Sequence, residues 1–90
     1  MENTTKSTEI KAVLKDVFLY IVWGKFSNTY FSKSSSWLYN KFNGRDGNGG
    51  IGGFTETEKL LLKKSLNEFA DKIKQAAASI EYQHRIIINM

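Results

Sequence analysis

The side chains most suited to chemistry lie between residues 17 and 45, where four cations occur without a single acid. Those cations are Lys25, Lys33, Lys41 and Arg45. They account for the whole net charge of +4, because acids and bases cancel in the segments on either side. A cationic segment attracts polyanions and is typical of nucleic-acid-binding proteins. Ordinary sampling also produces such a segment, so the charge alone does not decide the function.

Polar residues among these cations have the chemistry needed to read DNA. Asn40 offers a hydrogen-bond donor and an acceptor. Adenine presents the complementary acceptor and donor in the major groove. Ser35, Ser36 and Tyr39 carry hydroxyls that bond bases or phosphates, although serines at a helix start also serve simply as caps. The residues predicted to contact DNA are Lys25, Lys33, Ser35, Ser36, Tyr39, Asn40, Lys41 and Arg45.

Other chemistries are poorly supported by the composition. The chain has no cysteine and one histidine, His84, which leaves no thiolate zinc site and no partner for a nucleophile. Residues 47–52 satisfy G-x-G-x-x-G, but the chain is too short for the strand–helix–strand unit that dinucleotide binding requires. A calcium loop starting at Asp46 would have Ile51 at the required glycine and Thr57 at the required glutamate. We therefore expect no enzyme activity, cofactor, metal or small-molecule substrate.

No segment has the length or composition of a membrane span. The longest apolar run, Val17–Trp23, has seven residues, whereas a helix needs ~20 to cross a bilayer. No small-residue cleavage site follows it. These features predict a cytoplasmic protein without membrane contact.

Helical spacing organises the first half of the chain. Apolar residues recur at helical intervals from Ile10 to Ile21 and predict a first helix that ends at Gly24. Its second half is rich in β-branched and aromatic residues, so a strand is an alternative there. A short second helix is predicted over residues 25–31.

The third predicted helix carries the polar residues named above. Ser34 or Ser35 can cap its start, and Asn43-Gly44 can end it after about Phe42. On a helical wheel, one face is apolar and holds Trp37, Leu38 and Phe42. The opposite face holds Ser36, Tyr39, Asn40 and Asn43, and this is the face predicted to meet DNA.

The second half of the chain contains a loop and one long helix. Residues 44–53 include six glycines and predict a mobile loop. Thr55 and Glu58 form a capping box, which predicts a helix over residues 56–82 with an apolar stripe from Leu62 to Ile80. The isoleucine-rich residues 85–90 favour a strand, a continuation of the stripe or a cover for the core.

The segment from Phe26 to Gly44, together with residues 54–58, resembles a small uncharacterised bacterial helical family. The shared motif is Tyr-Phe, Lys-Ser, Ser-Trp-Leu-Tyr, Asn-Gly and then Phe-Thr before a long helix. That family is similar to the phage-repressor (Cro-like) helix-turn-helix, in which Leu38 would match the buried aliphatic of the recognition helix. This chain departs from the repressor pattern by one extra residue between Ser27 and Asn43 and by Phe31-Ser32 in place of a glycine at the turn.

Together, these features predict an all-α, four-helix domain with a helix-turn-helix-like pair at residues 25–44. The predicted function is duplex DNA binding by a small transcriptional regulator or mobile-element accessory protein, with the helix at 34–43 in the major groove. A helical protein–protein interaction module that uses the long helix is the alternative. The surplus of apolar residues on that helix further predicts a homodimer.

Overall fold

The computed structural model describes the backbone of residues 7–47 and 50–88 and the side chains of residues 10–47 and 50–80. Within these ranges the chain is all-α, as predicted. Its four helices are α1 (Ser7–Val13), α2 (Trp23–Phe31), α3 (Ser35–Phe42) and α4 (Glu56–Ile88), and a 3-10 turn occupies Phe18–Tyr20. The chain divides into two units, residues 1–59 and residues 60–90.

Aromatic rings form the core of the first unit. Trp23 lies at its centre, with ring centroids 5.2 Å from Phe18, 5.1 Å from Phe26 and 5.0 Å from Phe42. Phe54 closes the cluster against Phe42 at 5.3 Å. Phe26 and Phe42 each pack edge-to-face with Trp23, and Phe54 packs edge-to-face with Phe42. In this arrangement the edge of one ring meets the electron-rich face of its neighbour. This cluster holds α2, α3 and the segment before α4 together.

The first predicted helix is shorter than its apolar spacing suggested. α1 ends at Val13, and the chain then passes through turns to the 3-10 turn. The carbonyl of Phe18 accepts a hydrogen bond from the Trp23 indole at 2.9 Å, while the Phe18 ring packs 5.2 Å from Phe42. These tertiary contacts outweigh the periodicity in a segment whose β-branched residues have low helix propensity.

Gly24 does not end a helix but lies in the first turn of α2. A Cβ built on Gly24 would lie 3.2 Å from the Cβ of Ser35. That spacing is tighter than most contacts between side chains, so glycine permits the close approach of α2 to the start of α3. The prediction of Gly24 as a helix end is therefore wrong, and the reason is packing between two helices.

The described residues of the glycine-rich segment, 44–47 and 50–53, form a small hydrogen-bonded hairpin. The mobility that the sequence predicts for this loop stays a prediction. Arg45 and Ile51 form an antiparallel bridge. The Gly52 amide donates to the Gly44 carbonyl at 3.0 Å, and the Asp46 amide donates to the Gly50 carbonyl at 2.9 Å. Backbone bonds of this kind offset the conformational freedom of the glycines.

The start of α4 confirms the capping box. The Thr55 hydroxyl accepts from the Glu58 amide at 3.1 Å, and the Glu58 carboxylate accepts from the Thr55 amide at 2.9 Å. The backbone then remains helical to Ile88, beyond the predicted end at residue 82. The side chains of His84 and of residues 85–90 lie outside the described residues.

Candidate nucleic-acid interface

The turn between α2 and α3 is fixed by three polar contacts. Ser32 adopts the left-handed conformation at φ 56°, which is the role that glycine fills in many helix ends. The Ser27 carbonyl accepts the amides of Ser32 and Lys33. The buried Ser27 hydroxyl donates to the Ser34 carbonyl at 3.0 Å. A serine therefore replaces the missing glycine, and the turn holds α3 against α2.

The start and end of α3 agree with the prediction. The Ser34 hydroxyl caps the helix by accepting the Trp37 amide at 3.2 Å. Asn43 is the C-cap residue of α3, and Gly44 follows it in the left-handed region at φ 79°. Local side-chain and glycine signals thus define this helix accurately.

The outer face of α3 is polar. Ser36 and Asn43 are exposed, Tyr39 is 43% exposed, and Asn40 is partly buried. Ser35 lies at the edge of this face, against Gly24. The residues of this face carry hydroxyl and amide groups and no formal charge, so the face offers donors and acceptors to a base edge.

Three of the four predicted cations are exposed, and they lie on the segments that flank α3 in the chain. Lys25 is on α2, Lys33 precedes α3, and Arg45 follows it in the hairpin. The Lys33 ammonium lies 5.7 Å from the centre of the Trp37 ring, which holds it beside the start of α3.

Lys41, the fourth cation, is a correction to the predicted interface. It is 6% exposed and lies on the inner side of α3 with Leu38 and Phe42. Its ammonium pairs with Glu58 Oε1 at 2.9 Å and donates to the Gly53 carbonyl at 3.0 Å. A lysine held in this way is not available to a phosphate. The sequence did contain a signal, because Lys41 falls three residues after Leu38 and therefore on the core side.

Glu58 has two structural roles at the start of α4. The same oxygen accepts the Thr55 amide and the Lys41 ammonium, so the capping box is also the counter-charge for the buried lysine. Burial raises the pKa of the Glu58 carboxyl, but the Thr55 amide and Lys41 lower it by more, and the pKa lies below its ordinary value of 4.5. The ionised carboxylate is therefore the favoured form.

A contact that was not predicted from the sequence links Lys11 on α1 to the end of α3. Its ammonium donates to the Asn43 amide oxygen at 3.1 Å. This contact ties the Asn43 side chain at the end of α3 to α1. The two residues are distant along the chain, so no local pattern could have revealed the pair.

Trp37 lies at the edge of α3 rather than in the core. It is partly buried and packs 5.2 Å from Phe31, with Lys33 and Lys41 over its ring. A Cβ on Gly47 would overlap the indole. The hairpin backbone is thus pressed against this side chain, which links the hairpin to α3.

Neither a cluster of metal ligands nor a membrane-spanning helix occurs in the part of the chain that the structure describes. There, no three His, Cys, Asp or Glu residues lie close enough together to hold a metal ion. No helix in the same ranges combines the length and apolar character of a membrane span.

Comparison with known proteins places the chain in a family. A family model described as a domain of unknown function (DUF5053) matches residues 10–80. This range holds the described turn, the hairpin and most of α4, so the chain belongs to the DUF5053 family. No curated protein and no solved structure matches the chain significantly. None of these comparisons indicates a resemblance to phage repressors, so that resemblance stays a prediction from the sequence motif.

Proposed function

We propose that this member of the DUF5053 family is a cytoplasmic DNA-binding protein that acts as a small transcriptional regulator or mobile-element accessory protein. The outer face of α3 would enter the major groove, and α2 with the serine turn would hold it there. The observation that carries the proposal is the uncharged polar face of α3, together with three exposed cations on the segments that flank this helix in the chain. Such a face gives base readout, and the cations give affinity for the backbone.

Each predicted residue receives a role from its position. Asn40, Tyr39, Ser35 and Ser36 face the bases or the nearest phosphates, and Lys11 orients Asn43 for the same purpose. Lys25, Lys33 and Arg45 neutralise phosphates. Lys41 has no DNA contact and instead stabilises the fold through Glu58.

A salt titration of DNA binding tests this proposal. Three phosphate contacts predict a slope of about −2.7 for log K against log salt, since each contributes ~0.9. Lys33→Gln should reduce the slope by ~0.9. Lys64→Gln, which removes an exposed charge from α4, is the matched control and should leave it unchanged. A slope near zero, or no binding to mixed-sequence duplex at about 50 mM salt, contradicts DNA binding.

A second candidate function is association through α4, and it is compatible with the first. Leu62, Leu66, Phe69, Ile73, Ala76 and Ile80 follow one another in steps of four and three, which is the spacing of a coiled-coil seam. Leu62 is buried, but Ile73 is 55% and Ile80 is 70% exposed. We infer that a second copy of α4 covers this stripe, which would also supply two recognition helices.

Sedimentation equilibrium tests the homodimer. The dimer should have twice the 10.3 kDa chain mass. Ile80→Glu should dissociate it, because a charge would enter the seam. Ala78→Glu, on the opposite side of α4, is the control and should leave the mass unchanged. A monomer at all micromolar concentrations would contradict the pairing and favour a different protein partner.

A further inference from the structure

The chain between α1 and α2 folds as a series of tight turns that is anchored to the core at two points. The Val17 amide donates to the Leu14 carbonyl, and the Tyr20 amide donates to the Val17 carbonyl, both at 2.9 Å. Leu14 is buried, and both the ring and the carbonyl of Phe18 contact Trp23. Because Leu14 and Phe18 take the places in the core, the other side chains of this segment lie outside it.

Five large apolar side chains of this segment are exposed. Their exposed fractions are 79% for Val13, 44% for Val17, 93% for Leu19, 86% for Tyr20 and 74% for Val22. Successive three-residue turns rise only ~2 Å per residue, which keeps the segment short and these side chains close together. We call the five side chains the apolar turn. Since they remain in water, their hydrophobicity contributes little to the stability of the unit that carries them.

The apolar turn is large for a surface that faces water. From the area that an aliphatic or aromatic side chain loses on burial, its exposed fractions amount to roughly 300–550 Å². The largest apolar patch of a typical monomer has about this area and is often a binding site. Two such patches in contact would bury roughly 600–1,100 Å² of apolar surface, which is below the standard protein interface and typical of a weak association.

The charges in the same segment complement one another. Lys15 and Asp16 are consecutive and exposed, and neither forms an ion pair within the described residues. The neighbouring Lys11 is already bonded to Asn43. A surface bordered by one sign of charge repels its own copy, whereas a surface bordered by both signs can pair with itself. A twofold axis sets Lys15 of one copy against Asp16 of the other, and the same pair occurs twice.

We propose that the apolar turn is a self-association surface, which pairs with the apolar turn of a second copy around a twofold axis. Leu19 and Tyr20, its two most exposed members, provide the apolar contact, and Lys15 and Asp16 set the register. The surface belongs to the first unit, so it is distinct from the stripe on α4, and it requires no DNA. Two different twofold contacts in one chain join dimers into larger assemblies. Because the contact is weak, it acts between copies that α4 or a shared duplex already holds together.

Sedimentation of the full chain with Ile80→Glu tests the contact in the absence of pairing through α4. This variant should be mainly monomeric at ~10 μM and approach twice the 10.3 kDa chain mass at ~1 mM, with a dissociation constant on the order of 100 μM. Adding Leu19→Ala should raise this constant ~10-fold or more, because a twofold contact contains the substituted residue twice. Ile51→Ala shortens an apolar side chain that is 99% exposed elsewhere in the same unit, and as the matched control it should leave the constant unchanged.

An exchange of the two charges identifies the partner surface. In the same Ile80→Glu protein, Lys15→Glu should raise the dissociation constant ~5-fold, because each copy then sets a carboxylate against Asp16 of the other. A general effect of charge would act in the opposite direction, since Lys15→Glu makes the net charge two units less positive and so reduces repulsion between copies. Lys15→Glu combined with Asp16→Lys keeps the net charge and should restore the original constant.

Each outcome supports or overturns pairing through the apolar turn. A monomer up to ~1 mM, or a dissociation constant that Leu19→Ala leaves unchanged, overturns it. A double charge variant that binds as weakly as Lys15→Glu alone shows that the apolar turn contacts a different surface, which also overturns it. If the Ile80→Glu protein is already a dimer at ~10 μM, pairing through α4 is wrong, and the responses to Leu19→Ala and to the charge exchange still decide the role of the apolar turn. No DNA is present, so a failure of DNA binding leaves these results unchanged.

Discussion

On its inner side α3 places Leu38 and Phe42 at full burial beside Lys41, whereas its outer side presents Ser36 and Asn43 to solvent. The one formal charge of the helix is thus on the inner side, and the outer side is polar without charge. Lys41 is tolerated there because Glu58 and the Gly53 carbonyl replace its lost hydration. The comparison shows that residue type alone does not locate a contact surface. The partner of each polar group has to be identified.

The largest effect on the free energy of unfolding is expected from a substitution on the inner side of α3. Leu38→Ala removes a side chain with zero exposure and should lower the free energy of unfolding by about 3–4 kcal/mol, through lost burial and the cavity that remains. Urea denaturation measures it. A loss below about 1 kcal/mol would show that the inner side is not the packed one.

Two lysines beside the same aromatic ring test whether the buried lysine, and not the exposed one, stabilises the fold. Lys41 and Lys33 lie 5.3 Å and 5.7 Å from the centre of the Trp37 ring. Lys41→Met should lower stability by about 2–3 kcal/mol, because Glu58 loses its buried partner. Lys33→Met, the matched control, should change it by less than about 0.5 kcal/mol. Equal losses in thermal melts would contradict the assignment of Lys41 to the fold.

Gly47 tests the link between the hairpin and α3. In Gly47→Ala the new methyl group would overlap the Trp37 indole, so the hairpin or the ring must move. Overpacking of this kind lowers stability by about 1–3 kcal/mol. The melting temperature should fall, and the tryptophan emission, to which Trp23 and Trp37 both contribute, should shift to longer wavelength. Ile51→Ala, in the same hairpin but fully exposed, should change neither.

The success of the sequence analysis depended on the distance between interacting residues. The Ser34 cap and the Thr55–Glu58 capping box join residues three positions apart. The capping box was predicted correctly, and the cap was predicted as Ser34 or Ser35. Their hydrogen bonds depend on local backbone geometry alone. The limits of α3 and the start of α4 follow from them.

The failures involve residues that are distant in sequence. The end of α1 depends on Phe18 packing against Phe42, and the role of Gly24 depends on Ser35. The contact between Lys11 and Asn43 spans two helices. No local propensity encodes these contacts. Lys41 is different, because its position on the helix already places it on the same side as Leu38. It was predicted to be exposed because lysine is rarely buried.

Because Glu58 is the counter-charge of Lys41, we expect the stability of the fold to depend on pH. Because the pKa of Glu58 in the fold lies below its ordinary value of 4.5, the ionised group stabilises the fold above that pH, and the stabilisation is lost as pH falls through the folded pKa. Glu58→Gln keeps a capping side chain but removes the charge. It should lower stability by about 1 kcal/mol at pH 7.

The measurement is the difference in melting temperature between the wild type and Glu58→Gln as a function of pH. The difference should be constant near neutral pH and shrink below about pH 4.5, as the wild-type carboxylate becomes protonated. Glu56→Gln, an exposed acid in the same turn, is the control for the general effect of charge. A difference that persists unchanged at pH 3 would show that the charge of Glu58 does not stabilise the buried lysine.

The smallest effect on stability is expected on the outer side, at Asn40. Its side chain is partly exposed on the polar face, so Asn40→Ala should change the free energy of unfolding by less than about 0.5 kcal/mol. On duplex DNA containing its target, the same change should weaken binding by about 1–3 kcal/mol, because one paired contact to adenine is lost. Thermal melts and binding titrations on the same preparations separate the two quantities. If Asn40→Ala lowered stability as much as Leu38→Ala, the outer side would be part of the core, and the argument for DNA contact through α3 would fail.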